Sequence, residues 1–430
     1  MAQPQQQMRK PKETGVPDGR QYMHPTLLAN HGNWKYHDRP RPGVLHHVSH
    51  SGDEVWTVRA GTQRQMDVHT IRKLCDIGDQ YADGHVRFTI RSNIEYMVAD
   101  EKQVAPLIEA LEKNGFPVGG TGNSVSMMAH TQGWLHCDIP GTDASGVVKA
   151  LMDELHYEFR HEEMPNRVHM STSCCEINCG GQADIAIIVQ YTKPPKINHD
   201  LVANVCERPA VVARCPVAAI RPALVNGKPS LEIDEKKCMC CGACYPPCPP
   251  MQINDPEHTK LAIWVGGKNS NARAKQTFMK MVASGLPNNP PRWVEVGVVV
   301  KKILHVYKED ARPWERLSGV VVALTLCVVY FFSMYAFSML TAHITAFAGA
   351  FFVIALAAGS PPLLMVPLFA YFSNLCGATT NYSTGPVIIY FGLGYVSPRR
   401  WLQVALVISL FHVLLWISLG MAWWKVLGWW

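Results

Sequence analysis

Apolar and polar positions alternate in two different ways along this chain, and the change of rhythm falls near residue 317. Before it, short segments switch between period-two and helix-like spacing. Val55–Ala60 and Val86–Val98 read as strands, and Val68–Ala82 and Gln103–Asn114 as amphipathic helices. The strand, helix, strand, helix order predicts an α+β lobe over residues 1–129. Gly115–Gly122 is a turn-rich break, after which a second lobe starts near His130 and carries a predicted helix over Ala144–Phe159. There is no short-period repeat.

Beyond Leu317 the polar positions nearly vanish. Gly319–Leu340 is 22 residues without a charge, long enough at about 1.5 Å per residue to cross a hydrocarbon layer of about 30 Å. Further apolar segments run over Ile344–Ala358, Leu363–Cys376, Val387–Val396 and Trp401–Trp424, broken at Gly359–Pro362 and Gly377–Pro386. From Ser318 onward the charged residues are Arg399, Arg400 and Lys425 alone. A buried soluble helix is the alternative, but this poverty of charge predicts an all-α transmembrane segment over residues 318–430. Its short, interrupted pieces suggest re-entrant elements, and Trp423, Trp424, Trp429 and Trp430 suit a membrane interface. The basic residues before Gly319, and Arg399 with Arg400, place their loops on the cytoplasmic side.

The net charge of +6 is spread out, so nucleic-acid binding gains no support, whereas a small anionic substrate or cofactor stays open. Met1–Gly19 is rich in Gln, Pro and Lys and lacks the apolar core of an export signal. The first part is therefore expected in the cytoplasm. Twelve of the fourteen cysteines precede residue 249, and in a large cytoplasmic chain close cysteine spacing points to metal rather than disulfides.

Those cysteines form two groups. Cys137 is followed after 36 residues by the adjacent Cys174 and Cys175, then by Cys179 on the same Gly-flanked loop. A 4Fe-4S cubane needs four converging thiolates, which a loop and one distant anchor can supply; inert buried thiols or zinc are the alternatives. The second group, Cys238, Cys241, Cys244 and Cys248 before Pro249, is the bacterial ferredoxin run. The fourth cysteine of such a run serves another cluster, and the Cys-Pro context of Cys215 in ARCPVAAI fits the missing ligand. Cys215, Cys238, Cys241 and Cys244 are thus assigned a second 4Fe-4S cluster, with Cys248 left over and Cys75, Cys206 and Cys240 as bystanders.

The stretches HTQGWLHCDIPGTDASG, STSCCEINCGG and CMCCGACYPPCPPMQIND resemble the beta subunits of the dissimilatory sulfite reductase family, over about three quarters of the chain. The resemblance implies siroheme sulfite/nitrite reductase-like lobes with an inserted ferredoxin-like domain. On that plan residues 130–205 and 257–317 form the siroheme and 4Fe-4S domain around an insert at residues 206–256. It also implies that Cys137, Cys174, Cys175 and Cys179 hold one cluster, with Cys179 the thiolate shared with siroheme iron. Siroheme carries many carboxylates, which the planar fork of Arg grips well. VRFTIRSN resembles the family's haem-facing motif, giving Arg87, Arg91 and Asn93, with Arg59, Lys268 and Arg273 as weaker candidates. Each taken singly is as well explained as a solvated or structural residue.

The family's basic stretch before the cluster loop reads MPNRVHM here, so Arg167 and His169 stand where lysines are expected. With Arg87 they are the candidate catalytic residues, and a partner alpha subunit is expected to complete the anion pocket or to carry the active haem. The implied activity is six-electron interconversion of sulfite and sulfide. The implied assembly is an α2β2 heterotetramer served by a small cysteine-bearing sulfur carrier protein. An electron-transfer ferredoxin subunit without catalytic siroheme is the alternative within the reductase part.

The tail is similar to the end of the divalent anion:sodium symporter family through TAHITAF, YFSNLCGATTNYSTGPVIIYFGLGYV and WWKVLG. That family has two inverted repeats, of which the first has no counterpart here, so transport by this chain alone is not expected. Ser373, Asn374, Thr379, Thr380, Ser383 and Thr384 are candidates to line a polar path or simply to pack. Three readings of the join near Leu317 compete: a membrane-tethered reductase subunit, a dicarboxylate/sodium symporter fragment, and two joined reading frames. The abrupt seam favours the last.

Overall fold

Alternation along EVWTVRAG sends Trp56, Val58 and Ala60 to one side of a strand and Thr57 and Arg59 to the other, and this strand organises the first half of the chain. The computed structural model describes residues 17–270, 276–311, 314–336, 340–357, 360, 362–380 and 384–427. They fall into two units: one runs to Gly122 and includes Phe159–Glu162, and the other comprises Asn123–Glu158 and the chain from Glu163 onward.

The first unit is an antiparallel sheet of β1 (Trp34–Arg41), β2 (Val44–Ser49), β3 (Glu54–Gly61), β4 (Val86–Phe88) and β5 (Asn93–Val98), in the order β1-β2-β3-β5-β4. Helices Val68–Tyr81 and Val104–Lys113 cover one face, close to the predicted ranges. Leu74, Ile77, Leu107, Ile108 and Leu111 from the helices pack with Trp56, Val58, Ile94, Tyr96 and Val98 from the sheet. The Asp67 side chain caps the first helix through Thr70 N (2.6 Å), and Tyr96 Oη donates to Leu74 O (3.0 Å). The single strand expected over Val86–Val98 is instead a hairpin. Thr89–Ser92 turns back with Ser92 at φ +56°, and Arg87 comes to lie opposite Glu95. No Gly or Pro marks this turn, so the apolar pattern runs through it unbroken.

In the second unit β6 (Ala129–His130), β7 (Met170–Ser173) and β8 (Ile185–Tyr191) are parallel neighbours. Small strands β9 (Lys196–Ile197), β10 (Ile220–Val225), β11 (Lys228–Ile233) and β12 (Met251–Gln252) follow, and then β13 (Thr259–Val265) and β14 (Lys280–Pro287). The main sheet has the order β14-β13-β8-β7-β6. Since β8 pairs directly with β13, the intervening chain from Thr192 to His258 is an excursion from that sheet. It has its own apolar centre of Val202, Val211, Ile220, Leu231, Cys248 and Met251. The helix expected over Ala144–Phe159 is two, Ala144–Glu154 and His156–Arg160, with the break at Leu155.

The described part of the tail is helical. Within the expected span Gly319–Leu340, the α-helix Leu317–Ser333 tightens into a 3-10 turn at Met334–Ala336, and residues 337–339 lie outside the described residues. Among the described residues, the helix of membrane-crossing length and composition is Pro398–Val426, 29 residues at a mean hydropathy of 2.3. It contains the predicted Trp401–Trp424 segment, with Val407, Leu414 and Leu419 exposed. Ser383, Trp429 and Trp430 lie outside the described residues.

Leu107 is fully buried beneath the first sheet. Leu107→Ala is expected to cost about 2–5 kcal/mol, read as a lowered urea midpoint for that unit with little change in slope.

Candidate functional site

The first cysteine group is built where parallel strands end. Cys174 directly follows β7; its backbone N donates to Thr131 Oγ1 (2.9 Å), while Cys174 O accepts from Gly141 N (2.7 Å). These bonds tie the loop after β7 to the segment that carries Cys137. Asn178, at φ +56°, tightens the loop: its Oδ1 accepts from Ser173 Oγ (2.9 Å), and Ser173 Oγ in turn accepts from Gly180 N (3.0 Å). A Cβ at residue 180 would lie 2.6 Å from that hydroxyl, so glycine is required there.

The result is convergence. The sulfurs of Cys137, Cys174 and Cys175 lie within 4.8 Å of one another. Cys174 is lowered to about 5, chiefly by a hydrogen bond from Cys175. Cys137 is pushed up to about 11 by burial, and Cys175 is raised because its proton serves the Cys174 sulfur. One ionised sulfur is thus accommodated by its neighbours' protons, whereas three need a cation among them. The donor set therefore fits a soft metal centre. Cys179, on the same loop, is exposed and stands outside this trio.

Cys215, Cys238, Cys241 and Cys244 line one open pocket, together with Pro195, Ile220 and Ile233. Cys215 Sγ accepts from Ala219 N (3.2 Å), the kind of N–H to sulfur bond that tunes an iron–sulfur centre. Gly242 at φ +72° lets the loop curl between Cys241 and Cys244, and burial pushes the Cys244 thiol up to about 12. The four residues assigned from spacing thus share one cradle. Cys248 and Cys206, read as left over and as a bystander, form a disulfide with Cα atoms 4.5 Å apart. Their separation of 42 residues concealed the pairing.

In the first unit, Arg59 and Arg87 meet the same buried carboxylate. Arg59 Nε donates to Glu95 Oε1 (2.6 Å) and Arg87 Nε to Glu95 Oε2 (2.7 Å), while Arg59 Nη1 reaches Gly120 O (2.9 Å). Glu95 is fully buried, so both guanidinium groups are fixed in direction. Asn93 Nδ2 donates to Thr89 Oγ1 (3.2 Å), and Asn93 Oδ1 is buried without a hydrogen-bond partner among the described residues. Arg91 sits in the hairpin turn between the exposed Phe88 and Ile90. The same sheet carries His47, whose Nε2 meets Thr57 Oγ1 (3.0 Å) and whose Nδ1 meets His37 Nδ1 (2.7 Å).

A second charged group surrounds the buried Asp184 at the start of the second unit's central strand. Arg316 Nη2 donates to Asp184 Oδ2 (2.5 Å), as does His169 N (2.8 Å). Arg167 and Lys268 lie within electrostatic reach of it. Lys268 is buried, its ammonium bonded to Ser270 O. Burial raises Asp184, against the pull of Arg316. Arg273 lies outside the described residues. Glu95, His47 and Arg316 were not found by sequence reasoning; the period-two register of the strands was the signal for the first two, and Arg316 had none.

Three family models match. Residues 47–114 match the nitrite/sulfite reductase ferredoxin-like half domain, residues 121–326 the nitrite and sulphite reductase 4Fe-4S domain, and residues 312–430 the sodium:sulfate symporter transmembrane region. The fold and the cysteine sites thus define a reductase of the nitrite and sulfite class carrying an iron–sulfur centre. A dissimilatory-type sulfite reductase beta subunit from Archaeoglobus fulgidus is 43% identical over 312 residues, 70% of this chain and 85% of that subunit. Its counterpart from Nitratidesulfovibrio vulgaris is 44% identical, over 69% and 81%. The chain belongs to the dissimilatory-type sulfite reductase beta subunit family, and is an oxidoreductase subunit. The crystal structure of dissimilatory sulfite reductase I shares the fold at a TM-score of 0.61 and 18% identity, over 68% of this chain and 76% of that one. The tail is 36% identical over 117 residues to the chloroplastic dicarboxylate transporter 1 of Arabidopsis thaliana, spanning 20% of that protein.

His47 is pushed down to about 4 from 6.5, first by burial and then by His37, Arg87 and His46, against the pull of Glu95. Between these values the unfolded chain binds a proton that the folded sheet resists, so stability falls as the pH drops through that window. His47→Gln is expected to flatten this dependence, measured as urea midpoints at stepped pH.

Proposed function

We propose that residues 1–317 work as the beta subunit of a dissimilatory sulfite reductase, interconverting sulfite and sulfide by six electrons at siroheme coupled to a 4Fe-4S cluster. The observation that carries this is the pair of sulfur cradles, a buried trio on the loop after β7 and a four-cysteine cavity in the excursion between β8 and β13. Cys137, Cys174 and Cys175 would hold the first 4Fe-4S cluster, with Cys179 as fourth ligand and as the thiolate shared with siroheme. The exposure of Cys179 suits that shared role, because a sulfur facing outward from the trio can meet a second metal. Trp134, Leu135 and Ile177, exposed on the cysteine-bearing segments, offer an apolar surface for a tetrapyrrole. Cys215, Cys238, Cys241 and Cys244 would hold a second 4Fe-4S cluster, making residues 206–256 the ferredoxin-like insert within a domain of residues 130–205 and 257–317.

Bound in these places, siroheme and its cluster supply the one-electron steps that the side chains cannot. The chain's own residues do the rest. Arg59 and Arg87 would grip carboxylates in directions set by Glu95, Arg91 would add a third guanidinium from the hairpin turn, and the unpaired Asn93 Oδ1 would accept a hydrogen bond from an approaching group. Arg167, His169 and Lys268, with Arg316 around Asp184, supply positive charge and exchangeable protons for an anion such as sulfite. An alpha subunit in an α2β2 assembly would add further basic residues, and a small cysteine-bearing protein would carry sulfur. Translated as one chain, residues 318–430 would attach this cytoplasmic subunit to the membrane rather than transport, since they match only a fifth of a transporter.

Co-expressed anaerobically with an alpha subunit, the chain is expected to yield extractable siroheme and sulfite-dependent oxidation of reduced viologen. Iron without any haem would favour the electron-transfer reading, and sodium-driven dicarboxylate uptake into vesicles would favour the transporter.

A further inference from the structure

Tyr191 closes β8, and its ring is buried between the two sulfur cradles. On one side Tyr191 Oη donates to Ile139 O (2.7 Å), two residues beyond Cys137. A Cβ at Gly141, whose backbone N donates to Cys174 O, would lie 3.2 Å from Tyr191 Cε1. On the other side, a Cβ at Gly242 would lie 3.8 Å from Tyr191 Cε2 and 3.6 Å from Ile139 Cδ1. Gly242 sits between Cys241 and Cys244, so the Tyr191 ring and the Ile139 side chain, with Ile253, lie beside the loop of the second cradle. The Tyr191 backbone N donates to Glu176 Oε1 (3.1 Å), and Glu176 adjoins Cys175. The sulfurs of Cys137, Cys174 and Cys175 all act electrostatically on the phenol, as expected for a group beside them.

We infer that Tyr191 is the positioning residue through which electrons pass between the second iron–sulfur site and the first. This deepens the two-cluster reading and rests on it. Close packing without a water-filled gap is what efficient transfer between buried centres needs, and the protein's part in such chemistry is to set orientation and surroundings. With clusters held by Cys215, Cys238, Cys241 and Cys244 and by the cysteines around the loop after β7, one electron would pass per transfer, oxidising the former centre by one unit and reducing the latter by one. The Tyr191 hydroxyl keeps its proton, hydrogen-bonded to the Ile139 carbonyl, so the path runs through the ring and this hydrogen bond without forming a tyrosyl radical.

The test uses the anaerobic holoprotein with Tyr191→Phe and Tyr191→Leu. Iron and acid-labile sulfide content and the electron paramagnetic resonance signals of both clusters are measured first, because their absence from the wild type would sink the two-cluster reading itself. With both signals present, the protein is mixed with a viologen radical as one-electron donor and freeze-quenched to time electron arrival at the first cluster. Tyr191→Leu is expected to slow arrival severalfold with both midpoint potentials unchanged, and Tyr191→Phe to slow it less. Wild-type arrival rates in the leucine variant would overturn the inference, as would a slowing fully accounted for by shifted potentials. If the leucine variant loses a cluster, the phenylalanine variant decides: slower arrival at unchanged potentials supports the path, and an unchanged rate overturns it.

Discussion

Sulfur atoms crowded into a dry interior cannot all ionise unless a cation lies among them, and this constraint shapes the second unit of the molecule. Two parallel strands deliver the loop after β7 to the segment bearing Cys137, and backbone bonds through Thr131 and Gly141 lock the two together. An apolar core of such density would have no reason to spend three thiols at one point. The sulfurs of Cys137, Cys174 and Cys175 within 4.8 Å of one another are a donor set that suits a soft metal. The four-cysteine cavity repeats the logic at the edge of the same unit, with a disulfide closing the segment that contains all four of its cysteines.

Charge is handled differently from sulfur. Cations that grip an anionic cofactor or substrate must be held still without being neutralised, and the first unit does this by setting two arginines on one buried glutamate. With two positive groups to one negative, the cluster keeps net positive charge. Asp184 does the same for Arg316 beside Arg167, His169 and Lys268. Arg316, the residue before helix Leu317–Ser333, still pairs with Asp184 of the reductase-like part. The two family matches overlap over residues 312–326, on either side of that same point.

Much of this was legible before any coordinates. Cysteine spacing picked out both groups, because a metal site demands particular residue types at particular intervals. Helices Val68–Tyr81 and Val104–Lys113 followed from strong amphipathic periodicity. What was illegible had physical causes. The hairpin within Val86–Val98 turns on a left-handed serine that leaves no Gly or Pro mark. The Cys206–Cys248 pairing joins residues far apart in sequence, and the role of Glu95 depends on register between three strands. In the tail, hydropathy located apolar segments but not their ends: among the described residues the long helix is Pro398–Val426, reaching beyond the predicted Trp401–Trp424 on both sides.

The most direct test of the account is an anomalous-difference map from crystals grown anaerobically, with data collected at the iron edge and again at the zinc edge. The account predicts iron peaks at two places, beside Cys137, Cys174 and Cys175 and within the cavity of Cys215, Cys238, Cys241 and Cys244. Metal-free sulfurs at both places, or zinc in either, would contradict it.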